Sequence, residues 1–362
     1  MRWKEQLYTL TPYKPGKSIE AVKKQFKLDR IVKLASNENP FGCSEKALSA
    51  LQSYQTSLAL YPDGYATHLR ETLSAFLQVD EDELILGNGS DNLIQIISRA
   101  LLHPMASTIM ATPTFSQYKH NAMIEGAIIK EIPIVNGDHN LDAMLEAIDE
   151  TTNIIWLCSP NNPTGTYIPK NKLIPFLEKV PSHILVVLDE AYYEYVVAED
   201  YYNAISLTRK YENLIVLRTF SKIYGLAALR VGYGVANRAI IKALEPVREP
   251  FNVNTLGQLA ACEAIKDQEF VEVCKGKNRQ GLAQFYKFCE KHHLEFYSTQ
   301  TNFILIDFKV DGDELFQYLQ TRGYIVRSGK PLGFPTAVRI TVGSSEQNEG
   351  VLKALSEYLE AD

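Results

Sequence analysis

Between about residues 45 and 245, short continuous apolar runs alternate with amphipathic stretches: ELILG then DNLIQIISRALL, NIIWLC then KNKLIPFLEKV, followed by HILVVLDE and NLIVLRTF. Unbroken Val/Ile/Leu runs suit strands covered on both faces, and the amphipathic stretches between them supply helices for that cover. This half is expected to be α/β, built on a mostly parallel sheet. The pattern changes after EPVREPFNVN. Longer helical stretches (TLGQLAACEAIKDQEFVEVCKGKNRQGLAQFYKFCEKHH) precede short strands FILIDF, YIVRS and VRITV with a helix around DELFQYLQTRG, which reads as a second, smaller α+β lobe. The division expected is an N-terminal arm over 1–30, a large lobe over 31–250 and a small lobe over 251–362, with the boundary near Pro250.

Composition narrows the function classes. With 362 residues, 46% of them hydrophobic, the chain can bury a large core divided between two lobes. A formal charge of -6 and a pI near 5.8 leave no electrostatic footprint for a polyanion, so no nucleic-acid partner is expected. The five cysteines are scattered without a C-x-x-C pair, which indicates neither a disulfide framework nor a zinc site and fits a reducing cytoplasm. The opening MRWKEQLYTLTPYKPGK lacks a continuous apolar stretch, and no run reaches bilayer length, so neither export nor membrane attachment is expected.

Several familiar patterns fail on inspection. P-G-K-S at Pro15 to Ser18 lacks the first glycine of a phosphate loop and has no preceding strand. GNGSDN and GYGVAN each carry G-x-G without the third glycine, which leaves a nicotinamide enzyme a weak alternative. The histidines show no metal-ligand spacing, and no metal is expected.

The chemistry concentrates in RTFSKIYGLAALRVGY. Lys222 follows the run NLIVLRTF, at the C-terminal strand end where open parallel sheets gather ligand-binding groups. Alone it would read as a solvated lysine. Thr219 and Ser221 add hydroxyls, however, and Arg230 adds a planar cationic fork suited to a phosphate. In LGNGSDNLIQIISRALL, glycines precede a helix, and backbone N–H groups at Gly89 and Ser90 can bind an anion; a plain turn capped by Ser90 or Asp91 fits the same stretch. Asp189 closes the buried run SHILVVLDE, and Asn162 lies in the turn SPNNPTG after NIIWLC; each also reads as an ordinary turn residue. With the phenol of Tyr192, the set comprises an amine, a phosphate cup, a carboxylate, an amide and a phenol at one sheet edge. Pyridoxal 5'-phosphate requires each: the amine for its aldehyde, the cup for its ester, the carboxylate for its ring nitrogen, and the amide and phenol for its ring oxygen.

At these residues the chain resembles the fold-type-I pyridoxal-phosphate aminotransferases, along essentially its whole length and most of all their histidinol-phosphate branch. The matching segments include KLASNENPFG, YPDG, GNGSDN, SPNNPTG, LDEAYYEY, RTFSKIYGLAALRVGY, PFNVN, TNFILIDF, YIVRSG and VRITVGSSEQN. The resemblance implies that Lys222 bonds the cofactor and shuttles the proton, that Asp189 pairs with the ring nitrogen, and that Asn162 and Tyr192 contact the ring oxygen. It implies that Thr219, Ser221, Arg230, Gly89 and Ser90 hold the phosphate and that Phe115 stacks on the cofactor, where the family more often has tyrosine. Tyr61 of YPDG would reach the cofactor phosphate of a partner subunit, making the active unit a homodimer. For substrates, it assigns Arg339 to the carboxylate of 2-oxoglutarate or glutamate and Arg327 to the phosphate of histidinol phosphate, with Asn37 and Tyr13 as further contacts. Either arginine alone would also fit a strand-end surface charge. Asn92 departs from the glutamate common in the family. The implied reaction is ping-pong transamination. An aromatic amino-acid aminotransferase is the alternative, followed by a lyase or decarboxylase using the same cofactor, or a binding protein on the same scaffold.

Overall fold

A computed structural model describes residues 1–8, 10, 18–55 and 58–360. The N-terminal portion holds α1 (Ile19–Phe26), β1 (Val32–Lys33), α2 (Glu45–Gln52) and α3 (Thr67–Leu77). Alternation follows with β2 (Leu84–Gly87), α4 (Ser90–Leu101), β3 (Ser107–Thr112), α5 (Gln117–Glu125), β4 (Ile128–Pro133), α6 (Leu141–Glu146) and β5 (Thr152–Cys158). It continues through α7 (Lys170–Lys179), β6 (Leu185–Asp189), β7 (Leu214–Thr219), β8 (Gly232–Ala236) and α8 (Arg238–Leu244). The C-terminal part contains α9 (Thr255–Lys266), α10 (Gln268–Lys291), β9 (Glu295–Phe296), β10 (Phe303–Asp307) and α11 (Gly312–Thr321). It closes with β11 (Tyr324–Ile325), β12 (Arg327–Ser328), β13 (Ala337–Thr341) and α12 (Ser345–Leu359).

The large sheet has seven strands in the order β2-β8-β7-β6-β5-β3-β4. Pairing is parallel except around β8, which runs antiparallel to β2 and β7. Alternate residues of each strand enter different cores. Val186 and Leu188 of β6 pack with Leu173 and Phe176 of α7 and Leu69 of α3, whereas Leu185 and Val187 pack with Ile94 and Ile97 of α4 and Tyr118 of α5. Burial on both faces explains why these strands read as unbroken apolar runs. The chain moves outward from β3 to β4 and returns through β5, β6 and β7 on the other side, so the strand order reverses between β3 and β5. Open α/β sheets bind ligands outside the carboxyl ends of the strands at such a reversal.

The second sheet, β12-β13-β10-β9, is antiparallel and shares a core with α10, α11 and α12. Packing redraws the expected division at both ends. Val32 and Leu34 join this second core, and β1 pairs in parallel with β11, so the chain just past residue 30 belongs with the small lobe. Beyond Pro250, α9 buries Ala260, Ala261, Ala264 and Ile265 in the large lobe's core, and Val271 and Cys274 at the start of α10 join them. The reason is amphipathic geometry: a helix goes where its small apolar face meets a complementary one, whichever side of a loop it lies on.

Candidate active site

The carboxyl ends of β5, β6 and β7 lie side by side, with Cys158 opposite Asp189 and Asp189 opposite Leu217. Loops after β3 and β5 meet there, where Thr114 donates its hydroxyl proton to Asn161 Oδ1 at 2.7 Å.

Asp189 is buried. Its Oδ2 accepts from the Tyr118 hydroxyl at 2.7 Å and its Oδ1 from the Ala191 amide at 3.1 Å. Burial pushes its carboxyl up to about 6 against the pull of those two donors. Above that pH it is an anion. Tyr118 stacks on Trp156 at 4.8 Å, and Trp156 Nε1 donates to Thr108 at 2.9 Å, so the phenol that holds Asp189 is itself fixed in the core.

Lys222 lies three residues beyond β7, half-buried, with Nζ 5.6 Å from the centre of the Tyr192 ring. Burial draws its ammonium down to about 8, helped by Arg339 and Arg230 and opposed by Asp91 and Glu38.

Arg230 takes a left-handed backbone conformation, φ +54°, and its guanidinium spans Ser221 Oγ at 3.2 Å and Asp91 Oδ2 at 3.2 Å. It lies over Gly89: a Cβ there would approach Arg230 Nη2 to 2.6 Å, and the φ of +79° is itself a glycine conformation. A Cβ at Gly232 would come within 2.5 Å of the Ser90 amide. No side chain caps α4 at Gly89, so the amides at its start have no side-chain acceptor. A glycine in the turn before α4 and another at the start of β8 thus clear a cradle between a helix N-terminus and a guanidinium, an arrangement suited to a phosphate. Thr219 serves indirectly, accepting from the Ser221 amide at 3.1 Å and donating to Val231 O at 3.3 Å. Asn92 accepts from the Asn88 amide at 3.1 Å and from Asn252 at 2.9 Å while donating to Glu249 at 3.1 Å, so it braces the glycine turn.

Across the cleft, Asn162 Oδ1 accepts from Arg339 Nη1 at 2.6 Å, and Arg339 Nη2 donates to Ala35 O at 2.9 Å. Arg327 and Arg339 face each other across β12 and β13, with Leu305 of β10 on the other side of Arg339. Directly opposite residues share a face, so the two side chains leave the sheet on the same side. Tyr192 is buried and its hydroxyl accepts from Asn37 Nδ2 at 2.8 Å. Phe115 lies edge-on to Tyr118 at 5.6 Å. Tyr61 is 80% exposed and stacked on Phe251 at 4.7 Å. Tyr13 lies outside the described residues.

Two participants were not visible in the sequence pattern. Tyr118 lies in the first turn of α5, three residues after Phe115 and one turn before the buried Ala122, a spacing that by itself reads as core; only the fold brings it to Asp189. Asp91 looked like a helix cap, and its contact with Arg230 spans 139 positions of chain.

The family model for "Aminotransferase class I and II" matches residues 29–355. The chain is 62% identical to the histidinol-phosphate aminotransferase of Bacillus licheniformis, over 98% of this chain and 99% of that protein. It is 60% identical to that of Bacillus subtilis (strain 168), over 99% and 100%. Among solved structures, histidinol-phosphate aminotransferase from Sinorhizobium meliloti in complex with pyridoxal-5'-phosphate superimposes with a TM-score of 0.91, covering 99% of this chain and 98% of that one at 23% identity.

Proposed function

This chain belongs to the class I and II aminotransferases, and we propose that it exchanges the amino group of histidinol phosphate with the oxo group of 2-oxoglutarate, giving imidazole-acetol phosphate and glutamate in histidine biosynthesis. The observation that carries this reading is the register that sets Arg327 opposite Arg339. Two arginine side chains on one face of the small sheet give each anionic substrate group a planar cationic fork. Histidinol phosphate brings a phosphate for Arg327, and 2-oxoglutarate brings a carboxylate for Arg339.

The residues fit pyridoxal 5'-phosphate. The cradle cleared at Gly89 and Gly232 beside Arg230 matches a phosphate ester, and the ionised, doubly hydrogen-bonded Asp189 matches a protonated ring nitrogen. Lys222 would hold the aldehyde end, Asn162 and Tyr192 the ring oxygen, and Phe115 a ring face; Ser221, the Gly89 and Ser90 backbone and, through Ser221, Thr219 would complete the phosphate cup. When bound, the cofactor supplies an electron-withdrawing ring that stabilises negative charge at the substrate carbon bearing the amino group. Lys222 then moves the proton at that carbon. With its amine brought down to about 8, it can give and take a proton near neutral pH. Arg339, tethered to Asn162 and Ala35, orients the carboxylate of the second substrate.

The active unit in this reading is a cytoplasmic homodimer. Leu58, Leu60, Tyr61, Tyr65 and Phe251 are exposed apolar side chains of the large lobe, and Tyr61 would reach the partner's phosphate cup. All five cysteines are free thiols, in keeping with a reducing compartment. Among the described residues no helix is long and apolar enough to cross a membrane.

The test compares histidinol phosphate with phenylalanine as amino donor, 2-oxoglutarate being the acceptor. Arg327→Ala should lower kcat/KM for histidinol phosphate by on the order of 10- to 100-fold, the worth of a charged hydrogen bond, and leave phenylalanine turnover nearly unchanged. Equal losses on both donors would remove Arg327 from phosphate recognition.

A further inference from the structure

We propose that Asn37 is a positioning residue that sets the direction of the Tyr192 hydroxyl proton, a task assigned to it by the small lobe. This rests on the functional reading above and extends it to a residue that the family resemblance offered only as a substrate contact.

Asn37 is buried and adopts φ +57°, a region that asparagine tolerates better than most side chains. Its backbone amide donates to Thr341 Oγ1 at 3.0 Å, and the Thr341 hydroxyl returns a bond to Asn37 Oδ1 at 3.0 Å. That closed ring decides which way the side-chain amide points. Thr341 Oγ1 already receives one proton and has no other acceptor for its own among the described residues, so the atom facing it must be the oxygen. The Asn37 NH2 group is therefore turned to Tyr192 Oη, 2.8 Å away. Asn302 Nδ2 holds the Asn37 carbonyl at 3.0 Å. Thr341 ends β13 and Asn302 immediately precedes β10, so both anchors belong to the small sheet, while Tyr192 belongs to the large lobe.

The consequence follows from donor chemistry. An amide NH2 only donates, so Tyr192 Oη is an acceptor in this contact and its own proton is reserved for another partner. In the proposed holoenzyme that partner is the cofactor's ring oxygen. The charged and titratable groups acting on Tyr192 include Arg339, Asp189, Cys158, Lys222 and Tyr195, and among the described residues none of them accepts this proton.

The experiment is a pH titration of the visible absorption of resting holoenzyme, followed without substrate in wild type, Asn37→Asp, Tyr192→Phe and the double variant. Aspartate keeps the shape, the backbone tolerance and the acceptor for Thr341, but its carboxylate draws the Tyr192 proton to itself. A hydrogen bond donated to the ring oxygen favours the deprotonated chromophore, so losing it in Tyr192→Phe should raise the midpoint by about one pH unit, a tenfold change in proton affinity. Asn37→Asp should raise it comparably and add little in the Tyr192→Phe background, because both changes remove the same bond. Thr341→Val, which introduces no charge, should move the midpoint the same way, and Thr341→Ser should restore it. An unmoved midpoint in Asn37→Asp, or an equal shift in both backgrounds, would overturn the assignment while leaving the functional reading intact. Absence of any visible band on adding pyridoxal 5'-phosphate to the wild type would instead overturn the functional reading, and the assignment with it.

Discussion

Burial brings Lys222 and Asp189 toward each other on the pH scale, the amine down to about 8 and the carboxyl up to about 6, because each charged form is poorly solvated. A lysine half-neutral near pH 8 is a far better nucleophile than a solvated one. An amine-acylating reagent used at pH 8 in limiting amount should therefore label Lys222 ahead of the exposed lysines, read by peptide mass mapping, and prior addition of pyridoxal 5'-phosphate should protect it. For Asp189 the folded chain binds the proton more tightly than the unfolded chain, so its contribution to stability is present below pH 3.8 and lost as pH rises through about 6. Denaturant unfolding of the apoprotein should show wild type losing about 2 kcal/mol relative to Asp189→Asn between pH 4 and pH 7. At this scale the sequence was informative wherever a polar residue closed an apolar run, as with Asp189 and Lys222. It was silent about Tyr118, because a tyrosine at helical spacing from a phenylalanine looks the same whether it fills a core or holds a carboxylate.

Between elements, the decisive contacts join the turn before α4 to the segment after β7. Gly89→Ala would force a left-handed alanine against Arg230 Nη2, so pyridoxal 5'-phosphate affinity should fall tenfold or more, measured by fluorescence titration, with circular dichroism unchanged. Behind the site, Arg218 on β7 donates through Nε and Nη2 to Glu190 Oε2 at 2.9 and 2.8 Å, both side chains buried, with the guanidinium 3.4 Å from the centre of the Tyr193 ring. This pair fastens the ends of β6 and β7 just past Asp189 and beside Thr219. Removing one partner strands a buried charge, so Glu190→Ala should cost about 3–5 kcal/mol in equilibrium unfolding. The strands themselves were legible because burial on both faces leaves an unbroken apolar run. The antiparallel insertion of β8 between β2 and β7 was not, since strand direction depends on the path of the connections and leaves no mark on side-chain pattern.

For the molecule as a whole, the chain crosses between lobes more than once, and those crossings assemble the site. β1 pairs with β11, Asn37 ties Thr341 and Asn302 to Tyr192, and α9 returns to the large lobe beyond Pro250. In the proposed homodimer, the exposed apolar side chains around Leu60 and Tyr61 would form the contact with the second copy. Leu60→Asp should shift sedimentation toward monomer at micromolar concentration and lower the activity per chain.

The sequence by itself determined the alternating α/β core, the polar groups at its strand ends and the residues able to grip an anion, because these depend on local periodicity and side-chain chemistry. Only the tertiary structure decided that Tyr118 donates to Asp189, that Arg327 stands opposite Arg339, and that Thr341 turns the amide of Asn37 toward Tyr192. Each of these depends on distance between residues far apart in the chain, and that distance is settled by sheet order and strand register.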